Sequence, residues 1–101
     1  GLPRKVKEHK KRWTKPFKYD WVVHSELNGI FNATRNGVSL ENSTLFVTKF
    51  PCNDCAKGLV QAGIKTIYTY KPDLNHKVWG EKSKISLQMF KETGIKVQYI
   101  E

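Results

Sequence analysis

Residues 47–58, VTKFPCNDCAKG, place two cysteines three positions apart directly behind a proline. A β-branched and aromatic run precedes the cysteines and an amphipathic run follows them, so they lie where a strand gives way to a helix. Upstream, residues 20–29, DWVVHSELNG, place His24 and Glu26 two positions apart after another apolar run. These two stretches are either unrelated pieces of core or two halves of one site.

Cys52 and Cys55 are the two cysteines of the 101-residue chain. A disulfide between them would close a very short loop and remove little entropy from the unfolded chain. A close C-x-x-C pair is therefore either a redox pair or half of a metal site.

The hydrophobic periodicity predicts a single α/β domain over residues 1–101, with a basic arm at 1–20 and a core at 21–101. In the core, helices alternate with strands, which implies parallel pairing through right-handed crossovers. Three strands make a thin sheet for an α/β protein, so we expect further strands upstream. The predicted helices cover about 23–37, 52–63 and 79–94, and the predicted strands cover about 43–49, 65–70 and 95–100.

The two stretches are predicted to meet. Both predicted helix starts follow extended segments, so they should open on the same edge of a parallel sheet. His24, Cys52 and Cys55 then supply one imidazole and two thiolates, and a helix N-terminus stabilises a thiolate. Zinc with three protein ligands keeps its fourth tetrahedral position for water, which is the catalytic arrangement.

Glu26 is predicted to act beside the metal rather than on it. Two positions after His24 it cannot share the face of the histidine on a regular helix. It can still take a proton from a water on the metal and pass it to a leaving group. The order H-x-E followed by P-C-x-x-C is the signature of zinc deaminases that act on nucleobases. The alternative is a core histidine with an incidental glutamate, beside an unrelated redox pair.

The segment HSELNGIFNATRNGVSLENSTLFVTKFPCNDCAKGLVQAGIKTIY, residues 24–68, resembles the cytidine and deoxycytidylate deaminase superfamily. Its motifs FPCNDCAK and QAGIK are similar to those of the deoxycytidylate (dCMP) deaminases. This resemblance implies a three-layer α/β/α fold, with a mixed sheet whose last strands are parallel. The family has an N-terminal helix and strand pair before the segment that matches GLPR, and we expect that part to be missing from this chain.

The resemblance also implies a function. Zn²⁺ would be held by His24, Cys52 and Cys55, and Glu26 would be the catalytic proton shuttle in the deamination of dCMP to dUMP and ammonia. This reaction serves pyrimidine deoxynucleotide metabolism, and the family forms homo-oligomers, often hexamers, with dCTP and dTTP as allosteric effectors. Four residues are candidate substrate contacts, although each also has an ordinary explanation as a packing or exposed residue: Asn28, Phe50, Tyr70 and Lys71.

The net charge of +9 is unevenly distributed, since residues 1–20 carry an excess of +6. Aromatic residues are interleaved with these cations, namely Trp13, Phe17, Tyr19 and Trp21. Such a pattern is either a solvated segment whose aromatic residues fold back onto the core or a footprint for nucleic acid. The charge of the arm therefore leaves a deaminase that edits tRNA or single-stranded nucleic acid as one alternative function. The expected absence of the N-terminal part leaves a non-catalytic, zinc-stabilised fragment as another. No apolar run reaches the roughly twenty residues of a membrane span, so we expect a cytoplasmic protein without membrane contact.

Overall fold

The structure is a computed structural model that describes residues 1–16 and 18–100. Helices and strands alternate after a basic arm, as the sequence predicts. Phe17, one of the aromatic residues of the arm, lies outside the described residues. The elements are a 3-10 turn at Lys10–Trp13, then α1 Lys18–Trp21, α2 Ser25–Arg35, β1 Thr44–Phe46, α3 Asn53–Ala62, β2 Thr66–Thr69, α4 Gly80–Thr93 and β3 Lys96–Tyr99.

The three described strands form one parallel sheet in the order β1-β2-β3. Ile67 in the central strand lies opposite Leu45 on one side and Val97 on the other. This arrangement confirms the predicted α/β class and the parallel pairing. All three strands are parallel, so the mixed sheet that the resemblance implies is not seen in the described residues.

Strand β1 is shorter than the predicted strand at 43–49. Among the described residues, one further hydrogen bond of the ladder follows Phe46, from the Val47 N–H to the carbonyl of Tyr68 at 2.9 Å. Pro51 has no N–H to continue a ladder, and Phe50 turns inward until only 9% of it is exposed. The residues between β1 and α3 therefore form a loop at the end of the sheet.

The hydrophobic core joins the sheet to the two long helices that follow it. Leu59 of α3, Ile67 of β2 and Phe90 of α4 are almost completely buried and belong to one cluster. On the other face of the sheet, the rings of Phe46 and Tyr68 stack at 4.8 Å, and Phe46 is 70% exposed. The chain therefore buries one face of the sheet far better than the other.

The arm, which the sequence predicts without regular elements, contains two short helical turns. The Nδ1 atom of His9 accepts the Lys11 N–H at 3.2 Å and so starts the 3-10 turn. The Arg12 guanidinium lies 3.9 Å from the centre of the Trp21 ring, which ties this turn to α1. Four-residue helices of this kind leave almost no periodic signal in a sequence.

The two ends of the arm are joined beside the core. The Val23 N–H donates a 2.7 Å hydrogen bond to the carbonyl of Gly1, so the arm closes on itself just before α2. Within the described residues, no helix has the length and apolar character needed to cross a membrane.

Candidate metal centre

His24 and Cys52 occupy equivalent positions, because each is the N-cap residue of a helix. Both have extended backbones, and neither side chain makes a capping hydrogen bond, so the imidazole and the thiol are free to face each other. Cys55 lies one turn into α3 and is fully buried. The first turns of α2 and α3 thus carry all three predicted ligands.

The close packing of α2 on α3 brings these helix starts together. A Cβ atom built on Gly58 would lie 2.6 Å from Leu27 Cδ2 and 3.4 Å from Ile30 Cδ1. Glycine at this position allows α2 to approach the backbone of α3 directly.

The three ligand atoms lie at distances that suit one metal ion. His24 Nδ1 is 3.2 Å from Cys55 Sγ and 3.6 Å from Cys52 Sγ, and all three atoms lie within 4.8 Å of one another. Tetrahedral zinc, with bonds of about 2.0–2.3 Å to nitrogen and sulfur, places its ligand atoms on the order of 3.5 Å apart. One imidazole and two sulfurs are also donors that zinc prefers. The residues present therefore fit zinc.

The two thiols differ in their affinity for a proton. A hydrogen bond from Cys55 lowers the pKa of Cys52 to about 5, and the neighbouring His24 acts in the same direction against the effect of burial. The same hydrogen bond raises the pKa of Cys55 far above its usual range, with burial and the charge of Glu26 adding to the effect. Without metal, the pair therefore consists of a Cys52 thiolate and a protonated Cys55.

Glu26 lies beside the ligand cluster and at the wall of a cavity of about 880 Å³. His24 and Cys52 line the same cavity. The Ser25 hydroxyl donates a 2.7 Å hydrogen bond to Glu26 Oε1. A carboxylate in this position can exchange protons with a molecule in the cavity.

The candidate substrate contacts divide into two groups. Phe50, Tyr70 and Lys71 line the cavity, whereas Asn28 is exposed on α2 and does not appear among the described residues of the lining. Phe50 also packs edge-on against Phe90, with ring centres 6.1 Å apart, so it belongs to the core and to the cavity wall at once.

The cavity has walls that the sequence did not predict. Trp13 and Tyr19 of the arm contribute one wall, while Trp79 and Ser83 contribute another at the start of α4. The interleaved aromatic residues of the arm were a visible signal, but they predicted either packing against the core or contact with nucleic acid, not the wall of a cavity. Trp13 is 46% exposed and Tyr19 53% exposed, so they do not fold back to cap the core.

An α/β domain that presents an imidazole and two thiols beside a carboxylate is a zinc-binding domain of the nucleobase deaminase class. The family model of the cytidine and deoxycytidylate deaminase zinc-binding region matches residues 8–71. The chain belongs to this family, and the prediction of zinc as its cofactor is confirmed.

Individual relatives agree with this assignment. The deoxycytidylate deaminase of Enterobacteria phage T2 is 47% identical over 60 residues, which cover 58% of this chain and 32% of that protein. An uncharacterized deaminase encoded in the luxG 3′ region of Aliivibrio fischeri is 33% identical over 99% of this chain and 67% of its own length. The chain therefore spans about a third of the phage relative and two thirds of the bacterial one.

A solved structure shows the same fold. The dCMP deaminase of cyanophage S-TIM5, crystallised in complex with dCMP and dUMP, has a TM-score of 0.70 and 26% identity to this chain. The match covers 99% of this chain and 68% of the cyanophage protein.

Proposed function

We propose that the protein is a zinc-dependent hydrolase that deaminates dCMP to dUMP and ammonia. The observation that carries this proposal is the position of the Glu26 carboxylate, in one cavity with the imidazole of His24 and the thiol of Cys52, which belong to the metal centre. The names of the phage T2 and cyanophage relatives, which are both dCMP deaminases, support this choice of substrate.

His24, Cys52 and Cys55 would hold the zinc ion. When bound, zinc supplies a Lewis acid that activates water for attack on C4 of cytosine. Cys52 is a thiolate at neutral pH because its pKa is lowered to about 5, so it offers a ready ligand. Cys55 must give up its proton before it can bind the metal.

Glu26 would carry the protons of the reaction. Its carboxylate accepts one proton from the attacking water and delivers it to N3 of the ring while the bond from oxygen to C4 forms. It then carries the second proton of the water to the amino group, the C4–N bond breaks, and ammonia leaves. The hydrogen bond from Ser25 holds Oε1 of this carboxylate during both transfers.

The remaining cavity residues would bind the substrate. Phe50 and Tyr70 line the cavity, and their aromatic rings would contact the pyrimidine ring by stacking or by edge-to-face packing. Lys71 offers an ammonium group at the same cavity. Asn28 would reach a bound nucleotide only if its side chain turned from its exposed position on α2 towards the cavity.

The assembly and regulation of the protein are part of the same proposal. We infer a homo-oligomer, with a hexamer as one form, that is controlled by dCTP and dTTP and works in the cytoplasm. Phe31 and Phe46, which are 58% and 70% exposed, leave apolar surface for contact between subunits. Free thiols that serve as metal ligands suit a reducing compartment.

The alternative of nucleic-acid deamination rests on the charge of the arm. Trp13 and Tyr19 line the cavity, which indicates that the arm serves a small-molecule site. Ammonia release from dCMP, cytidine, dCTP and a tRNA loop tests the choice. We expect dCMP to be the preferred substrate of the zinc-loaded protein, and preferential turnover of the tRNA loop would contradict the proposal.

A further inference from the structure

The indole of Trp13 is held at its polar edge by a carboxylate. Its Nε1–H donates a 2.6 Å hydrogen bond to Oε2 of Glu8. Lys7 and Lys10 lie close to Glu8 along the chain, yet within residues 1–16 and 18–100 no cation lies within 4.0 Å of this carboxylate. Glu8 therefore serves the indole rather than a lysine, and a hydrogen bond to a charged acceptor is stronger than one between neutral groups.

The backbone on both sides of Trp13 is also fixed by local contacts. Nη1 of Arg12 donates to the carbonyl of Lys7 at 2.9 Å, and the Thr14 hydroxyl donates to the carbonyl of Lys11 at 3.1 Å. The residues that flank Trp13 are thus tied back to the preceding turn of the arm. The indole therefore starts from a defined backbone position.

The other end of the indole lies close to the metal centre. A Cβ atom built on Gly1 would lie 3.7 Å from Trp13 Cη2. The carbonyl of Gly1 accepts the Val23 N–H at 2.7 Å, and Val23 directly precedes His24. All four residues line the cavity. Two contacts therefore connect the indole to a predicted metal ligand.

Trp13 differs from the other tryptophans in what lies over its ring. Cations lie over the other two rings, namely Arg12 over Trp21, and Lys49 and Lys82 over Trp79. Among the described residues, neither a cation nor a second aromatic ring stacks on Trp13. Its hydrogen bond to Glu8 lies close to the plane of the indole and covers neither face. A fixed ring of this kind, 46% exposed in a cavity, suits stacking with a flat ligand.

We propose that Trp13 stacks on the pyrimidine ring of the substrate and that Glu8 is the positioning residue that holds the indole for this contact. This inference rests on the proposed function, because it takes a cytosine nucleotide as the ligand. Stacking uses the face of the indole and leaves its N–H bonded to Glu8. Phe50 and Tyr70 would contact the same base from the end of the sheet, so the arm would complete the active site.

Ligands with and without a base test the contact. Calorimetric titration compares dCMP with deoxyribose 5-phosphate, which has the sugar and the phosphate but no base. The zinc-loaded protein carries Glu26→Gln in these titrations, so that dCMP is not turned over. Removal of an aromatic side chain that stacks on a base lowers affinity by about five- to a hundredfold. We expect Trp13→Ala to weaken dCMP binding by about tenfold and to leave binding of deoxyribose 5-phosphate unchanged.

Two substitutions of Glu8 test its positioning role. Glu8→Ala keeps the indole but removes its anchor, so dCMP binding should weaken several-fold. Glu8→Gln retains an oxygen that accepts the indole N–H and should restore most of the affinity. A merely structural role would weaken both ligands alike and would change zinc content or thermal unfolding, which are measured for each variant.

Fluorescence gives a direct readout of the contact. The chain has three tryptophans, so Trp21→Phe/Trp79→Phe leaves Trp13 as its single indole. Addition of dCMP should quench the emission of Trp13, and deoxyribose 5-phosphate should not.

Trp21→Phe alone is the matched control for the titrations. Trp21 belongs to the arm but is not among the described residues of the cavity lining, and phenylalanine keeps a ring beside Arg12. It should leave both affinities unchanged. Equal weakening of both ligands by Trp13→Ala, unchanged binding of dCMP, or emission that dCMP does not quench would overturn the proposal.

Binding and turnover are measured separately, so this inference and the proposed function can fail independently. If the variants behave as expected but the wild type releases no ammonia from dCMP, the stacking contact stands and the proposed function fails. If dCMP is deaminated and Trp13→Ala binds it as tightly as the parent does, the stacking contact is wrong and the proposed function stands.

Discussion

The hydroxyl of Ser25 donates a 2.7 Å hydrogen bond to Oε1 of Glu26, the residue that follows it in α2. This contact holds one oxygen of the proposed proton shuttle. Both residues line the same cavity. The hydrogen bond therefore makes Ser25 a candidate for positioning the Glu26 carboxylate, on which the proposed chemistry depends.

Replacement of Glu26 by glutamine tests the shuttle. Because glutamine cannot carry the protons, kcat should fall by about 10²–10⁴-fold. Zinc should still bind stoichiometrically, since the ligand cluster consists of His24, Cys52 and Cys55. Ammonia release and metal analysis measure the two quantities on the same sample. Glu92→Gln, an exposed change on α4, is the control, and a wild-type rate for Glu26→Gln would show that another group moves the protons.

Replacement of Ser25 by alanine tests the positioning of the shuttle. Loss of one hydrogen bond to the carboxylate costs about 0.5–1.5 kcal/mol, so kcat should fall about two- to tenfold while KM stays the same. Ser25→Thr retains a hydroxyl and should keep most of the rate. Steady-state kinetics on dCMP separate kcat from KM. A rise in KM without a change in kcat would assign Ser25 to substrate binding instead.

Zinc binding should release about one proton from the thiol pair at neutral pH. Cys52 is already a thiolate above its pKa of about 5, whereas the raised pKa of Cys55 keeps that thiol protonated. Both must be thiolates to bind zinc, so zinc affinity should increase with pH by about tenfold per pH unit between about pH 7 and pH 8.5. Calorimetry in buffers of different ionisation enthalpy counts the protons. Release of two would mean that the free site does not hold a Cys52 thiolate.

The convergence of the two motifs could be predicted, because it depends on local rules. Helices that follow extended segments begin at one edge of a parallel sheet, and His24 and Cys52 are indeed the N-cap residues of α2 and α3. The sequence contained no signal for how closely α2 and α3 approach. That distance follows from Gly58 lying against Leu27, which is a tertiary contact.

The α4 wall of the cavity could not be predicted. The chain between Tyr70 and Trp79 has neither helical nor strand periodicity. The position of the start of α4 relative to the cavity therefore cannot be predicted from the sequence. Ser83 looks like an ordinary polar residue of an amphipathic helix until its position at the cavity is known. The end of β1 also escaped prediction, since the strand stops at Phe46, three residues before the predicted end, whereas β2 and β3 lie within one residue of their predicted bounds.

Two glycines that end helices provide a matched test of fold stability. Gly63 and Gly94 follow α3 and α4 with φ of 85° and 76°, a left-handed conformation that costs other residues about 1–2 kcal/mol. A Cβ built on Gly94 meets no atom of the described residues within 4 Å, so Gly94→Ala should cost only that conformational penalty. A Cβ on Gly63 would lie 3.2 Å from Glu41 Cα and would collide with the Glu41 carboxylate.

Gly63→Ala should therefore lower the free energy of unfolding by about 2–4 kcal/mol, roughly twice the loss in Gly94→Ala. Urea unfolding of the zinc-loaded proteins measures both values under one condition. Glu41→Ala in the Gly63→Ala background should recover the part of the loss caused by the carboxylate, but not the part caused by backbone contact. Equal destabilisation by the two alanine substitutions would show that the chain near Glu41 moves aside without cost.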